Sequence, residues 1–149
     1  MTSPSIGGRY LTPFRKLSDT MSVNPQISLD DVALAAQNGF AAIICNRPDG
    51  EDAGQLSAAA VAQACAAHGL KFVHIPITGS AAPDQIAAMG KALAEAGGPV
   101  LAYCRSGTRS THAWARACAQ EGASPGQLIA AAAGAGYDLT PIAPLLEQA

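Results

Sequence analysis

Residues 99–110 have the sequence PVLAYCRSGTRS, in which an apolar run passes directly into a polar segment. The apolar part, 99–103, has the length and continuous hydrophobicity of a strand buried in a parallel sheet. The polar part, 104–110, is predicted to be a loop, here named the cysteine loop, and a helix is expected from Ser110 to Gln120. Ligands of parallel sheets bind beyond the carboxyl ends of the strands, where helix N-termini point. The cysteine loop is therefore the first candidate for a functional site.

Strands and helices alternate along the rest of the chain. Two further buried strands are predicted at 40–45 and 71–77. Because the crossovers between parallel strands place helices on both sides of a sheet, this alternation predicts an α/β fold of three layers, with a mostly parallel sheet covered by helices on both faces. The predicted helices span residues 28–38, 57–68, 84–96 and 110–120, followed by one that begins near 124–125 and one at 141–146.

The length and composition fit one globular domain. The chain has 149 residues, 49% of them hydrophobic and 13% charged, which is enough to bury a core. No repeat or interdomain linker divides the sequence, so a single domain over residues 1–149 is predicted. The Gly, Pro and Ser residues of 1–27 predict an extended N-terminal arm packed on that domain, with one short strand around residues 10–17.

Charge and hydropathy bear on the partners of the chain. Nine basic and eleven acidic residues give a formal charge of −2, so the chain lacks the basic field with which proteins hold nucleic acid. The apolar runs are broken by Gln, Gly or charge, and they predict neither a membrane span nor a signal peptide. Cysteines at 45, 65, 104 and 118 show neither C-x-x-C spacing nor the density of a secreted disulfide scaffold, which favours a reducing cytoplasm.

The cysteine loop combines a thiol with features that bind anions. Its successive backbone N–H groups and the N-terminus of the following helix predict an anion cradle, and Gly107 permits the tight turn. This field favours the thiolate of Cys104, which makes it a candidate nucleophile. Arg109 can hold a tetrahedral oxyanion through two parallel hydrogen bonds, and Ser110 can donate to the departing sulfur. The predicted anion-binding residues are Arg105, Ser106, Gly107, Thr108 and Arg109.

Motifs spread over most of the chain carry a family resemblance. They are Leu17-Ser18-Asp19 with 22–26, Gly39-Phe40, Asn46-Arg-Pro-Asp-Gly-Glu51, His74-Ile-Pro76, 103–110 and Gly136-Tyr137. With these motifs the chain resembles the phosphatase-like domain of beta-lactamase hydrolase-like proteins, whose scaffold is similar to that of dual-specificity phosphatases. The resemblance implies a cysteine-phosphatase-like fold, in which Cys104 attacks phosphorus to form a cysteinyl-phosphate and Arg109 holds the phosphoryl oxygens.

The length of the cysteine loop leaves the reaction open. Four residues separate Cys104 from Arg109, whereas tyrosine and dual-specificity phosphatases have five there. The shorter loop resembles that of single-domain rhodaneses, so a sulfurtransferase that carries a persulfide on Cys104 is the alternative to a phosphatase. A third interpretation is a non-catalytic module that binds anions, with Cys104 as a buried small hydrophobe. The expected partner is a small anionic substrate, either a phosphate ester or a sulfane-sulfur donor.

The general acid is the second open point. Phosphatases of this type usually place an aspartate in the loop that follows the preceding strand of the sequence, but that loop, 78–83, contains no carboxylate. Asp49 is a candidate substitute, because its loop follows a neighbouring strand and should open on the same sheet edge. The alternative is that Asp49 stabilises the Pro-Asp-Gly turn. Glu51 and Asp52 share this ambiguity, and Arg105 is expected either to bind the anion or to pair with these acids.

Two further predictions concern the cysteines and metals. Cys45 ends one predicted strand as Cys104 follows another, so strand adjacency would bring the two sulfurs within disulfide reach and make Cys45 a redox partner. The alternative is that Cys45 simply packs in the core. Neither a metal site nor a cofactor is predicted, because the histidines and cysteines share no ligand spacing. The oligomeric state is left open by the sequence.

Overall fold

The computed structural model describes residues 5–6, 9–10 and 12–148. Its strands are β1 (Ser5–Ile6), β2 (Arg9–Tyr10), β3 (Arg15–Ser18), β4 (Met21–Asn24), β5 (Ala42–Cys45), β6 (Lys71–His74) and β7 (Val100–Tyr103). Its helices are α1 (Leu29–Gln37), α2 (Ala58–Ala67), α3 (Pro83–Glu95), α4 (Thr108–Gln120), α5 (Pro125–Gly134) and α6 (Ala143–Glu147), with a short 3₁₀ helix at Thr140–Ile142.

A five-stranded sheet organises the molecule, in the order β3-β4-β7-β5-β6. The central strand β7 is parallel to β4 on one side and to β5 on the other, and β6 continues the parallel part. Strand β3 closes the opposite edge and is antiparallel to β4. The register aligns Asn24, Cys45 and His74 in one row with Tyr103, the last residue of β7. The segments after these four strands therefore open on one edge of the sheet, and the cysteine loop lies at its centre.

Helices cover both faces of the sheet, and each face has its own core. On one face α3 to α6 pack on alternate strand residues such as Ile44 and Ala102, which are fully buried. On the other face α1 and α2 pack on the intervening residues, such as Ile43 and Leu101, which are also fully buried. Side chains of successive strand residues point to opposite faces, so strands covered on both sides are apolar throughout. The three-layer, mostly parallel α/β fold predicted from the sequence is confirmed.

Local side-chain hydrogen bonds begin the first two helices. Ser28 Oγ accepts the Asp31 N–H at 3.1 Å while Asp31 Oδ2 accepts the Ser28 N–H at 2.9 Å, so α1 starts with a reciprocal capping box. Ser57 Oγ accepts the Ala60 N–H at the start of α2. The longest helices, α3 and α4, have 13 residues each. Within the described part of the chain, no helix combines the length and apolarity needed to cross a bilayer.

The N-terminal region differs from the predicted extended arm. Residues 15–24 form the hairpin β3–β4, whose second strand pairs with β7 from Met21↔Val100 to Asn24↔Tyr103. These residues are thus part of the sheet, and they form two strands where one was expected around 10–17. Strands β4 and β7 are almost 80 positions apart in the sequence. Because β3 and β4 have only four residues each, their apolar pattern is too short to predict this pairing. Residues 1–4, 7–8 and 11 of the predicted arm lie outside the described residues.

Candidate active site

The cysteine loop places the Cys104 sulfur at the N-terminus of α4. Cys104 follows β7 directly and is fully buried. The backbone turns at Gly107, the N-cap of α4, with φ of +94°, a conformation that favours glycine. The Gly107 N–H consequently points back into the loop and donates to Cys104 Sγ at 3.1 Å. Thr111 Oγ1 donates to the Gly107 carbonyl at 2.8 Å and fixes the first turn of the helix.

Contacts from three directions fix the rest of the cysteine loop. The Gln26 N–H, just beyond β4, donates to the Arg105 carbonyl at 3.2 Å. The Tyr137 hydroxyl, just beyond α5, donates to the Ser106 carbonyl at 2.9 Å. Inside the loop, Ser106 Oγ donates to Thr108 Oγ1 at 3.0 Å. The loop is therefore fixed by hydrogen bonds from the residues that follow β4 and α5 and by one within the loop itself.

Arg109 is held by two acceptors that lie far from it in sequence. Its Nη1 donates to Glu51 Oε2 at 2.8 Å and to the Ile77 carbonyl at 2.7 Å, and its Nη2 donates to Glu51 Oε1 at 2.8 Å. The hydrogen bond from Arg109 lowers the pKa of the Glu51 carboxyl to about 2, with a further contribution from Arg47. The same contact raises the pKa of Arg109. At neutral pH the pair is fully ionised.

Arg47 organises the acidic segment that faces the cysteine loop, residues 46–52, here named the acidic loop. Its side chain is only 4% exposed, yet it carries a charge. Its Nε donates to Glu51 at 2.9 Å, its Nη2 to Asp52 at 2.7 Å and its Nη1 to Gln26 Oε1 at 2.9 Å. Two carboxylates and an amide thus compensate the buried guanidinium, which fixes Glu51 in place beside Arg109.

Arg105 was predicted to bind the anion, and Ser110 was predicted to donate to the departing sulfur. Arg105 is largely exposed, and its Nε lies 3.5 Å from Asp52 Oδ2, so it faces the acidic loop. Ser110 is fully buried in the first turn of α4, and its Oγ has no hydrogen-bond partner among the residues described. A buried hydroxyl without a partner is costly, which fits a donor that acts only during a reaction.

Comparison with known proteins places the chain in a family. Residues 13–123 match the family described as "Beta-lactamase hydrolase-like protein, phosphatase-like domain". The chain belongs to this family. A beta-lactamase hydrolase-like protein of Agrobacterium fabrum is 33% identical over 96 residues, which is 64% of this chain and 22% of the relative. The match thus spans about a fifth of the length of the curated relatives.

Solved structures agree with that assignment. A candidate phosphatase from Neisseria meningitidis is 33% identical, covers 89% of this chain and 95% of its own, and superposes with a TM-score of 0.78. A kinase-associated phosphatase with its catalytic cysteine replaced by serine is 16% identical, with coverages of 91% and 90% and a TM-score of 0.69. At that identity the likeness shows the fold alone. The phosphatase-like domain therefore has the cysteine-phosphatase fold.

Asp49, the predicted general acid, is engaged away from the cysteine loop. Its Oδ1 accepts the Ala58 N–H at 2.8 Å, in the first turn of α2. This contact supports the alternative in which Asp49 stabilises the turn and the start of the helix. Within residues 75–82, the segment between β6 and α3, no side chain is a carboxylate. The carboxylate nearest to Arg109 in the phosphatase-like domain is Glu51, which is ionised.

Cys45 lies on β5, which pairs with β7, the strand that leads to Cys104. The redox prediction requires this arrangement. Cys45 is the register partner of Tyr103, the residue that precedes Cys104. Its Sγ donates to the Arg47 carbonyl at 3.3 Å, and burial raises the pKa of its thiol. Cys45 and Cys104 are both free thiols. Strand adjacency is thus confirmed, whereas a link between the sulfurs stays a prediction.

The roles of three residues at this site are left open by the sequence. Arg47 and Glu51 were recognised as charged members of a motif, but their contacts with Gln26 and Arg109 join positions 21 and 58 residues apart. The Tyr137 hydroxyl donates to the Ser106 carbonyl in the cysteine loop. The motif Gly136-Tyr137 was the only local signal for that contact.

Proposed function

We propose that the chain is a cysteine-dependent phosphatase that transfers the phosphoryl group of a small phosphate ester to Cys104. The observation that carries the proposal is the 3.1 Å hydrogen bond from the Gly107 N–H to Cys104 Sγ at the N-terminus of α4. A backbone donor and the positive end of a helix dipole both point at the sulfur that would act as the nucleophile. The family match and the phosphatase neighbours support a phosphatase-like hydrolase.

The guanidinium of Arg109 has one edge available for an oxyanion. Of its five N–H donors, both on Nη1 and one on Nη2 are used by Glu51 and Ile77. The remaining two, on Nε and Nη2, lie side by side, and besides Glu51 the guanidinium also interacts with the side chain of Cys104, which helps to raise the pKa of Arg109. Such a pair of donors matches the spacing of two phosphoryl oxygens. Glu51 thus orients Arg109 and its two-donor edge.

The reaction proceeds in two displacements. Cys104 Sγ attacks phosphorus, the S–P bond forms and the P–O bond to the leaving group breaks, with Arg109 and the loop N–H groups stabilising the equatorial oxygens. The departing oxygen takes its proton from solvent, because Glu51 is ionised at neutral pH. Water then attacks phosphorus, the S–P bond breaks and phosphate leaves, while Ser110 Oγ donates to the released thiolate. Aryl phosphates are the favoured substrates, since their leaving groups need little protonation.

The four-residue spacing between Cys104 and Arg109 supports a second candidate, a sulfurtransferase. In that reaction Cys104 takes the outer sulfur of thiosulfate, releases sulfite and passes the sulfur to cyanide or a thiol. The chemistry needs no general acid for an alkoxide. The cradle of N–H groups and Arg109 would serve either anion, so the donor has to be identified by assay.

One pair of assays separates the two reactions. The protein is incubated with p-nitrophenyl phosphate and, separately, with thiosulfate plus cyanide. Cys104→Ser is expected to abolish release of p-nitrophenol, with Cys118→Ser as the control, since Cys118 lies near the other end of α4. Phosphate release that depends on Cys104 supports the proposal. Thiocyanate formation without phosphate release would establish the sulfurtransferase, and full phosphatase activity in Cys104→Ser would exclude both.

A further inference from the structure

Tyr137 reaches the cysteine loop from a segment outside the family match. It follows α5, where Gly136 has φ of +94° and the Tyr137 N–H returns to the Ala132 carbonyl at 2.8 Å. This reversal turns the side chain back toward the sheet, and Tyr137 is 7% exposed. The family match ends at residue 123, so nothing in that match assigns a role to this tyrosine.

The Tyr137 contact and the Cys104 contact are at opposite ends of one peptide group. The Tyr137 hydroxyl donates to the Ser106 carbonyl at 2.9 Å, and the N–H of the same peptide, which belongs to Gly107, donates to Cys104 Sγ at 3.1 Å. A trans peptide is planar, and its C=O and N–H point in opposite directions. A contact that fixes the direction of the Ser106 carbonyl therefore also fixes the direction of the Gly107 N–H.

This peptide needs such a constraint because it precedes a glycine. Glycine adopts positive and negative φ with similar ease, so rotation of the 106–107 peptide meets little local resistance. If the peptide rotated, the Ser106 carbonyl oxygen would point toward Cys104 Sγ, and this oxygen would repel an anion bound in the loop. Tyr137 opposes that rotation by hydrogen bonding and by contact. A Cβ at Gly107 would lie 2.0 Å from the Tyr137 hydroxyl oxygen, so only glycine allows this approach.

The tyrosine ring is itself fixed from the edge of the sheet. The Arg15 guanidinium of β3 lies 5.1 Å from the centre of the Tyr137 ring, within the range of a cation–π interaction. Arg15 Nη1 also lies close to Gly136. The edge strand and the end of α5 thus hold the ring in the position from which its hydroxyl reaches Ser106.

We infer that Tyr137 is a positioning residue, which holds the 106–107 peptide in the orientation that directs the Gly107 N–H at Cys104 Sγ. The inference rests on the proposed function for its effect on catalysis, but the orientation of the peptide is a property of the loop whichever reaction it performs. Tyr137 acts through this peptide and does not contact the substrate in the proposed reaction.

Tyr137→Phe in the full chain tests the inference, because it removes one hydroxyl and keeps the ring that packs on Gly107 and Arg15. The first measurement is the amide proton and nitrogen shifts of Gly107 by NMR, before and after selective alkylation of Cys104. In the unmodified chain the Gly107 amide is expected to shift strongly on alkylation, since it donates to the sulfur, and in Tyr137→Phe this response should be mostly lost. Tyr103→Phe is the matched control, since the Tyr103 phenol makes none of the hydrogen bonds of the cysteine loop described above.

The second measurement is turnover of p-nitrophenyl phosphate. Loss of one hydrogen bond that orients the loop is expected to lower kcat about tenfold in Tyr137→Phe, while the variant still melts in one cooperative transition at a slightly lower temperature. If neither the Gly107 response nor kcat changes in a folded variant, the inference is wrong. If the unaltered protein hydrolyses no phosphate ester, the proposed function fails while the Gly107 response still decides the role of Tyr137.

Discussion

Glu51 and Arg109 form a two-point ion pair across the mouth of the cysteine loop, with N–O distances of 2.8 Å on both sides. The pair uses the terminal edge of the guanidinium, and in the proposed reaction the edge that contains Nε binds the phosphoryl oxygens. Glu51 is in turn held by Arg47, whose Nε donates to it at 2.9 Å. The orientation of Arg109 is thus set from the acidic loop and not from the cysteine loop itself.

Glu51→Gln is expected to separate the orientation of Arg109 from its charge. Glutamine offers one acceptor oxygen, so one of the two hydrogen bonds is lost and kcat for p-nitrophenyl phosphate should fall about tenfold. Inhibition by inorganic phosphate should not weaken, because removal of a neighbouring carboxylate favours anion binding. Steady-state kinetics with product inhibition measures both quantities. An unchanged kcat would contradict the role assigned to Glu51.

The same ion pair predicts how stability depends on pH. The pKa of Glu51 lies at about 2 in the folded chain, below its ordinary value of 4.5. A group with a depressed pKa stabilises the fold above its unfolded value, and this contribution is lost as the pH falls from about 4.5 toward about 2. The free energy of unfolding, measured in urea at pH 6 and pH 3, should fall less in Glu51→Gln than in the unaltered chain. Equal losses in both proteins would argue against the pair.

Arg47 and Arg105 both contact Asp52 but differ in burial, and this predicts losses of stability of different size. The Arg47 side chain is 4% exposed, so Arg47→Met leaves Glu51 and Asp52 without their buried partner and should destabilise the fold by about 3 kcal/mol. The Arg105 side chain is 66% exposed, and Arg105→Met should cost less than about 1 kcal/mol. Urea unfolding of the two variants measures the difference. Similar losses would mean that Arg47 does not organise the acidic loop.

The helices and the site loop could be predicted because their signals are local. Ser28 and Ser57 precede α1 and α2 as caps, and the apolar run 99–103 passes directly into Cys104. Both patterns involve only neighbouring residues. Helix capping and the periodicity of apolar side chains are therefore enough to identify these elements from the sequence. They therefore suffice to place Cys104 between a buried strand and the following helix.

The β3–β4 hairpin and the supports of the site could not be predicted in the same way. Met21 pairs with Val100, and Tyr137 reaches Ser106 across 31 positions. Such contacts depend on the order of strands in the sheet, which the apolar pattern of each strand does not specify. Asp49 shows the same limit, since its position on the sheet edge is compatible with either predicted role and does not reveal that its carboxylate accepts the Ala58 N–H.

Asp49→Asn tests whether any carboxylate protonates the leaving group. The hydrogen bond to the Ala58 N–H needs only a side-chain oxygen, so this change should alter turnover less than about twofold for every ester, whereas Asp49→Ala should lower stability by about 1 kcal/mol. The unaltered protein should hydrolyse alkyl phosphates at least about a hundredfold more slowly than aryl phosphates. Rates are compared across a series of leaving groups. A loss in Asp49→Asn confined to poor leaving groups would restore Asp49 as the acid.

Cys45 is expected to protect Cys104 from irreversible oxidation. Mild peroxide converts an exposed or activated thiolate to a sulfenic acid, and a neighbouring thiol then condenses with it to a disulfide and releases water. Cys45, the register partner of Tyr103, is the candidate. Non-reducing peptide mapping should find a reversible Cys45–Cys104 link, which Cys65→Ser should leave unaffected. Oxidation of Cys104 directly to the sulfinic acid, with Cys45 untouched, would exclude this role.

The covalent intermediate gives the most direct test of the proposed reaction. The protein is mixed with p-nitrophenyl phosphate, quenched in acid within the first turnovers and digested, and the peptide that contains Cys104 is weighed by mass spectrometry. The proposed reaction predicts that this peptide gains the mass of one phosphoryl group, and that the gain is absent in Cys104→Ser and retained in Cys118→Ser. Sustained phosphate release with no phosphoryl group on Cys104, or a thiosulfate reaction that adds one sulfur atom while phosphate esters are left intact, would contradict it.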